Sequence, residues 1–151
     1  MKHRLTRNQV AWRIAQDIPD GAVVNLGIGQ PVLVANFVPA ELANWSTGAA
    51  GAVPGVGGAM DLAIGAKAVY AMTDHVTRRG EPKIVERATY PLTGRAAVDR
   101  IYTDLAVIEV TAQGLAVREI VPGLDLAGLQ ALTGAPLAAA SGLRPLEAPA
   151  L

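Results

Sequence analysis

Apolar residues first recur at helical spacing. Val10, Ala11, Ile14, Ala15 and Ile18 fall on one face of a helix. Thr6-Arg7-Asn8-Gln9, just ahead, reads as a capping box in which the Thr6 hydroxyl and the Gln9 side chain satisfy each other's backbone N–H. Pro19-Asp20-Gly21 stops that helix and turns the chain. The pattern then changes to a nearly continuous apolar run, Ala22 to Ile28, of strand length. Such a run suits a strand buried on both faces of a parallel sheet. It closes on Gly27-Ile28-Gly29, Pro31 stands where a first helical turn begins, and Val32 to Phe37 complete a short helix that Pro39 ends.

Beyond a loop of small residues, the spacing predicts a helix from Met60 to Ala66 and a strand from Ala68 to Thr73. A polar turn, Thr77 to Pro82, leads to a short strand at Lys83–Val85, and Tyr90-Pro91-Leu92-Thr93-Gly94 is a further break. Leu105 to Val110 is a strong β run, turned by Thr111-Ala112-Gln113-Gly114 into Leu115 to Val121 as a hairpin. Asp125 caps a last helix, Leu126 to Leu132, closed by Gly134. From Ala135 the chain is rich in Ala, Pro and Leu with few signals. The expectation is therefore one domain over residues 1–137 and a poorly ordered tail at 138–151. Strand, glycine turn and helix in succession predict an α/β fold with a mostly parallel open sheet and flanking helices.

Composition narrows the function classes. The 151 residues suffice for a real core, and 51% are hydrophobic against 17% charged. Lys+Arg and Asp+Glu balance at 13 each, which gives no reason to expect nucleic acid or an anionic membrane as partner. The absence of cysteine excludes disulfide and thiolate chemistry and suits the cytoplasm. No stretch approaches the roughly 18 apolar residues of a membrane helix. Two His without an acidic cluster beside them speak against a metal site.

The chemistry-bearing stretch is Glu41 to Lys67, where a small-residue loop runs through Gly57-Gly58-Ala59 into a helix. Unpaired N–H groups and the positive end of a helix dipole meet there, a place to hold a carbonyl oxygen, carboxylate or phosphate. Glycine loops before helices also serve merely to turn the chain. The same two readings apply to Gly27-Ile28-Gly29, which sits where the ligand crevice of an open α/β sheet lies. A dinucleotide fingerprint fails there for want of a third glycine. Asp61 reads as a first-turn dipole complement, and Asp99, Arg100 and Asp104 as structural ion pairing. His75 reads as a hydrogen-bonded structural histidine or as a crevice residue, and Trp45 as an adenine-stacking or subunit-contact residue.

Three stretches carry a resemblance: VNLGIGQPVLVANFVP (Val24 to Pro39), LANWSTGAAGAVPGVGGAMDLAIGAK (Leu42 to Lys67) and YPLTGRAAVDRIYTDLAVIEVT (Tyr90 to Thr111). They resemble the B (beta) subunit of family I coenzyme A transferases, and among these the enzymes acting on 3-oxoadipate and related 3-oxoacids. The resemblance implies a three-layer fold, an A (alpha) subunit partner in a hetero-oligomer, and a coenzyme A thioester as substrate with no bound cofactor. It also implies a reaction in which a glutamate carboxylate attacks succinyl-CoA. A mixed anhydride and then a glutamyl-CoA thioester form, and the 3-oxoacid acceptor reverses the sequence. A carboxylate serves because it is both nucleophile and leaving group. Backbone donors must face the developing oxyanion; Gly57, Gly58 and Ala59 match the family's glycine loop, and Asn25, Gly27 and Gly29 its strand-to-helix turn near the CoA site. The family's block between the VANFVP-like and LANW-like stretches, which carries the nucleophile in a Glu-Asn-Gly motif, is absent: Pro39-Ala40 runs into Glu41-Leu42, and no such triplet occurs in the chain. Glu41 is the nearest carboxylate by position, but it matches an acidic residue ahead of LANW rather than the nucleophile. A solvated loop carboxylate accounts for it.

Overall fold

The computed structural model describes residues 3–38, 45–47, 58–89, 92 and 94–151. Helix α1 (Arg7–Ala15) opens on the expected capping box: the Thr6 Oγ1 accepts from the Gln9 N–H at 3.2 Å, and the Gln9 Oε1 accepts from the Thr6 N–H at 2.9 Å. Val10, Ala11, Ile14 and Ala15 are buried as the spacing requires, and Arg13 is buried with them.

Strand β1 (Val24–Leu26) pairs in parallel with β2 (Trp45–Thr47) as a two-stranded sheet, Asn25 opposite Ser46. A 3-10 helix, Gln30–Phe37, follows β1 and packs against α1. Helix α2 (Gly58–Gly65) leads to β3 (Tyr70–Met72). Then come β4 (Arg100–Tyr102), β5 (Ala106–Thr111), β6 (Gly114–Ile120), α3 (Leu126–Ala131) and β7 (Leu137–Pro145). The second sheet has the order β3-β4-β5-β6-β7, parallel at its two ends and antiparallel through the β4-β5-β6 meander. Three of the five pairings are thus parallel, in an α/β fold. The core lies against β4–β6, where Tyr102, Leu105, Ile108, Val117, Leu129 and Leu146 have less than 2% of their surface exposed. Each aliphatic side chain so buried is worth about 1.5–3 kcal/mol.

Four expectations need correction. The run Ala22–Ile28 is not buried on both faces: Val23 is 78% exposed and Ile28 69%, and Asn25 faces solvent, because β2 is β1's single neighbour among the described residues. The helix after it is 3-10 rather than α. Lys83–Val85 is not a strand; Val76 bridges Pro82 and Val85 bridges Gly134, so the segment is stitched at single points. The tail is ordered structure. β7 pairs with β6, Leu146 is buried with its N–H on the Ile120 carbonyl at 2.7 Å, and the Gln9 Nε2 donates to the Pro149 carbonyl at 2.9 Å. The physical reason is a bulge. Between Ala139 and Arg144 the register slips, with Gly142 at φ 83°, and this sets Arg144 directly opposite Glu119.

That pairing closes an ionic network. The Glu119 carboxylate, 3% exposed, accepts from the Arg13 Nε at 2.8 Å and Nη2 at 2.7 Å, and from the Arg144 Nε at 2.9 Å and Nη2 at 2.6 Å. Arg13 also pairs with Asp17 at 2.9 Å, and Asp17 in turn binds Arg100 at 2.7 Å and accepts from the Tyr102 hydroxyl at 2.5 Å. Burial opposes ionisation of Asp17 and Glu119, but the arginine hydrogen bonds outweigh it and hold both below the usual carboxylate range. Helix α1 is thereby tied to β4, β6 and β7 through charge as well as apolar packing.

Candidate functional site

Leu26 is followed by Gly27-Ile28-Gly29, and Gly29 adopts φ 102° and ψ −132°, a conformation open to glycine and strained for any other residue. An added Cβ there would meet nothing within 4 Å, so the conformation and not crowding demands glycine. Pro31 then starts the 3-10 helix. Asp74, two residues past the end of β3, binds the Arg7 guanidinium at the start of α1. Helix α1 also packs on the 3-10 helix that the glycine turn starts, so it links that turn to the end of β3.

Charge gathers at this junction. Asp74 pairs with the Arg7 Nη2 at 3.2 Å and lies 3.8 Å from the Lys83 Nζ. Lys83 also donates to the Thr73 hydroxyl at 3.4 Å. Burial raises the Asp74 carboxyl, yet the Arg7 hydrogen bond, the charges of Arg7 and Lys83, and Gln30 together bring it below its ordinary value. Next along the chain, His75 is fully buried. Its Nε2 lies 2.9 Å from the Thr133 hydroxyl, which donates to the Leu129 carbonyl and so accepts from the ring; its Nδ1 lies 3.0 Å from the Thr103 hydroxyl. Burial, set against the Asp104 charge, keeps the His75 pKa below its usual value. The structural reading of His75 holds. Arg100 and Asp104 are likewise in ion pairs, with Asp17 and Glu109 and with Arg4; the Asp99 carboxylate instead accepts the Val69 N–H at 2.7 Å.

Of the residues singled out in the sequence, Asn25, Gly27 and Gly29 lie together on β1 and its turn, while Gly58 and Ala59 open α2 and Asp61 sits in its first turn. Gly57, Glu41 and the Trp45 side chain lie outside the described residues. Sequence reasoning misses Arg7, Gln30, Asp74 and Lys83. Arg7 reads there as part of a local capping box, and Lys83 as part of a strand. The one signal for Asp74 is its place beside His75, past an expected strand.

A glycine turn after a parallel strand, in a mixed sheet flanked by helices, defines an α/β protein. Known proteins place it further. A family profile described as Coenzyme A transferase matches residues 37–130. The beta subunit of the 3-oxoadipate CoA-transferase of Acinetobacter baylyi is 40% identical over 208 aligned positions, spanning 89% of this chain and 96% of the relative. The aligned span exceeds the 151 residues of this chain, so the match crosses a gap where the relative has sequence and this chain has none. A mitochondrial succinyl-CoA:3-ketoacid coenzyme A transferase of Homo sapiens is 40% identical over 109 residues, 71% of this chain and 21% of that protein. Glutaconate coenzyme A-transferase of Acidaminococcus fermentans shares the fold, with a TM-score of 0.65 at 15% identity over 98% of this chain and 91% of that one. The chain belongs to the coenzyme A transferase family, in its beta-subunit branch.

Proposed function

We propose that this chain is the beta subunit of a cytoplasmic, two-subunit coenzyme A transferase that moves CoA from succinyl-CoA to 3-oxoadipate or a related 3-oxoacid, with an alpha subunit as its partner. The observation that carries the reading is the 40% identity to the beta subunit of a 3-oxoadipate CoA-transferase along 96% of that relative's length. The CoA thioester is substrate, with no resident cofactor. The Gly27–Gly29 turn with Asn25, and the glycine loop at Gly57, Gly58 and Ala59, supply backbone donors for the thioester oxyanion and the CoA moiety.

A specific observation favours a second reading. The chain holds no Glu-Asn-Gly triplet, and the gap in its alignment with the relative accords with loss of the nucleophile-bearing block at Pro39–Glu41. On that reading the chain is a non-catalytic, partner-binding subunit of the same fold. The deciding experiment assays succinyl-CoA to 3-oxoadipate transfer by this chain co-purified with an alpha-type subunit, at high protein concentration. Transfer above background that Glu41→Gln abolishes supports a relocated nucleophile and the enzymatic reading. A stable complex without transfer supports the partner-binding reading, and no complex at all sinks both.

A further inference from the structure

Resting on the coenzyme A transferase reading, we propose that Arg7 and Lys83 form an anion subsite beside the glycine turn, which takes a carboxylate or phosphate group of the substrates in place of Asp74. Among the described residues the two cations share one carboxylate, an excess of positive charge where α1, packed on the 3-10 helix of the glycine turn, meets the end of β3. Their pairing is loose. Arg7 offers a single Nη2 contact at 3.2 Å and is 59% exposed, and the Lys83 Nζ stands 3.8 Å away. Exposed pairs of this kind are worth little, so an incoming anion displaces Asp74 at small cost. The contrast with Arg13 is direct: every nitrogen of its guanidinium is engaged by Glu119 or Asp17 and it is nearly buried, which leaves it nothing to offer a ligand. Among the described residues Arg7 engages one nitrogen of its donor fork, the geometry that fits a carboxylate or phosphate with two parallel bonds.

A second feature has the same sign. Arg7 is the first residue of α1, and the first turn of that helix contains no acidic residue, so its positive dipole end is not offset within the helix. The nearby Asp104 is already engaged, by Arg4 at 3.1 Å and by the His75 N–H at 2.7 Å. Asp74 therefore serves as an internal stand-in for the ligand anion.

The subsite predicts a sign that a purely structural ion pair does not. The chain, complexed with an alpha-type subunit, is titrated calorimetrically with adipate as a dicarboxylate probe and separately with coenzyme A as a phosphate-bearing probe. Arg7→Gln and Lys83→Gln should each weaken one probe by about tenfold, the scale of a charge-assisted hydrogen bond. Asp74→Asn should strengthen the same probe, since it removes the competitor. Loss confined to adipate identifies a substrate carboxylate, and loss confined to coenzyme A identifies its phosphates. Asp74→Asn weakening binding, or both cation variants binding as wild type, overturns the subsite while leaving the family function intact. Failure of the wild-type complex to bind coenzyme A overturns both.

Discussion

Glu119 and Arg144 meet through two short hydrogen bonds and should nevertheless differ sharply in what they contribute. Glu119 is 3% exposed and Arg144 63%. Replacing Glu119 by Gln leaves the size unchanged but strips the counter-charge from Arg13, whose side chain is 9% exposed. Breaking a buried pair from one side costs about 3–5 kcal/mol, and the retained Asp17 contact at 2.9 Å places this case near 3 kcal/mol. Arg144→Gln removes a mostly solvated cation and should cost about 1 kcal/mol or less. For a chain of this length, Glu119→Gln then lowers the melting temperature by roughly 6–12 °C. Urea titration of both variants is the direct assay, with unchanged m-values required for the comparison to stand. A second variant set checks the cause: Arg13→Gln combined with Glu119→Gln should cost less than the sum of the two single changes. Equal losses for Glu119→Gln and Arg144→Gln, or a Glu119→Gln cost under about 1 kcal/mol, would refute the view that burial sets the strength of this network.

Other outcomes follow from the same geometry. Because burial holds His75 neutral, the unfolded chain takes up a proton before the folded one, so stability should be full above about pH 6.5 and fall as the pH drops below it. His75→Gln should flatten melting temperature against pH just below about 6.5, while the further loss below about pH 4.5, where the carboxylates of Glu119, Asp17 and Asp74 take up protons in the unfolded chain before the folded one, remains. Gly29→Ala should cost about 1–3 kcal/mol in a urea melt because φ 102° strains any Cβ-bearing residue. Gly27→Ala, whose Cβ would meet only the Pro31 Cγ at an ordinary 3.9 Å, should stay within about 0.5 kcal/mol.

Much of this was legible in the sequence because it is local. The Thr6–Gln9 capping box, the Asp125 cap, with its Oδ1 accepting from the Gly128 N–H at 2.7 Å, and the β5–β6 hairpin each follow from residues a few positions apart. Non-local features were hidden. β4 is three residues long, and although Arg100 reads as a structural ion-pairing residue, its partners Asp17 and Glu109 stand 83 and 9 positions away. β7 lacks strand-forming residues and owes its place to Arg144 and Leu146 docking on β6. At the site, the glycine turn announced itself by composition. Asp74, Arg7 and Lys83 did not, since the contact between Arg7 and Asp74 spans 67 positions and leaves no periodic trace.

The tie between Arg13 and Glu119 bears on how the chain is made. The two residues are 106 positions apart, so at about 5–20 residues per second the ribosome delivers the second some 5–20 s after the first. Throughout that interval the buried-to-be Arg13 guanidinium lacks Glu119, which takes two of its three nitrogens. Nascent chains stalled before Glu119 should therefore be the species most exposed to proteases and to holdase chaperones, and the release of that vulnerability should coincide with emergence of the β6–β7 pair.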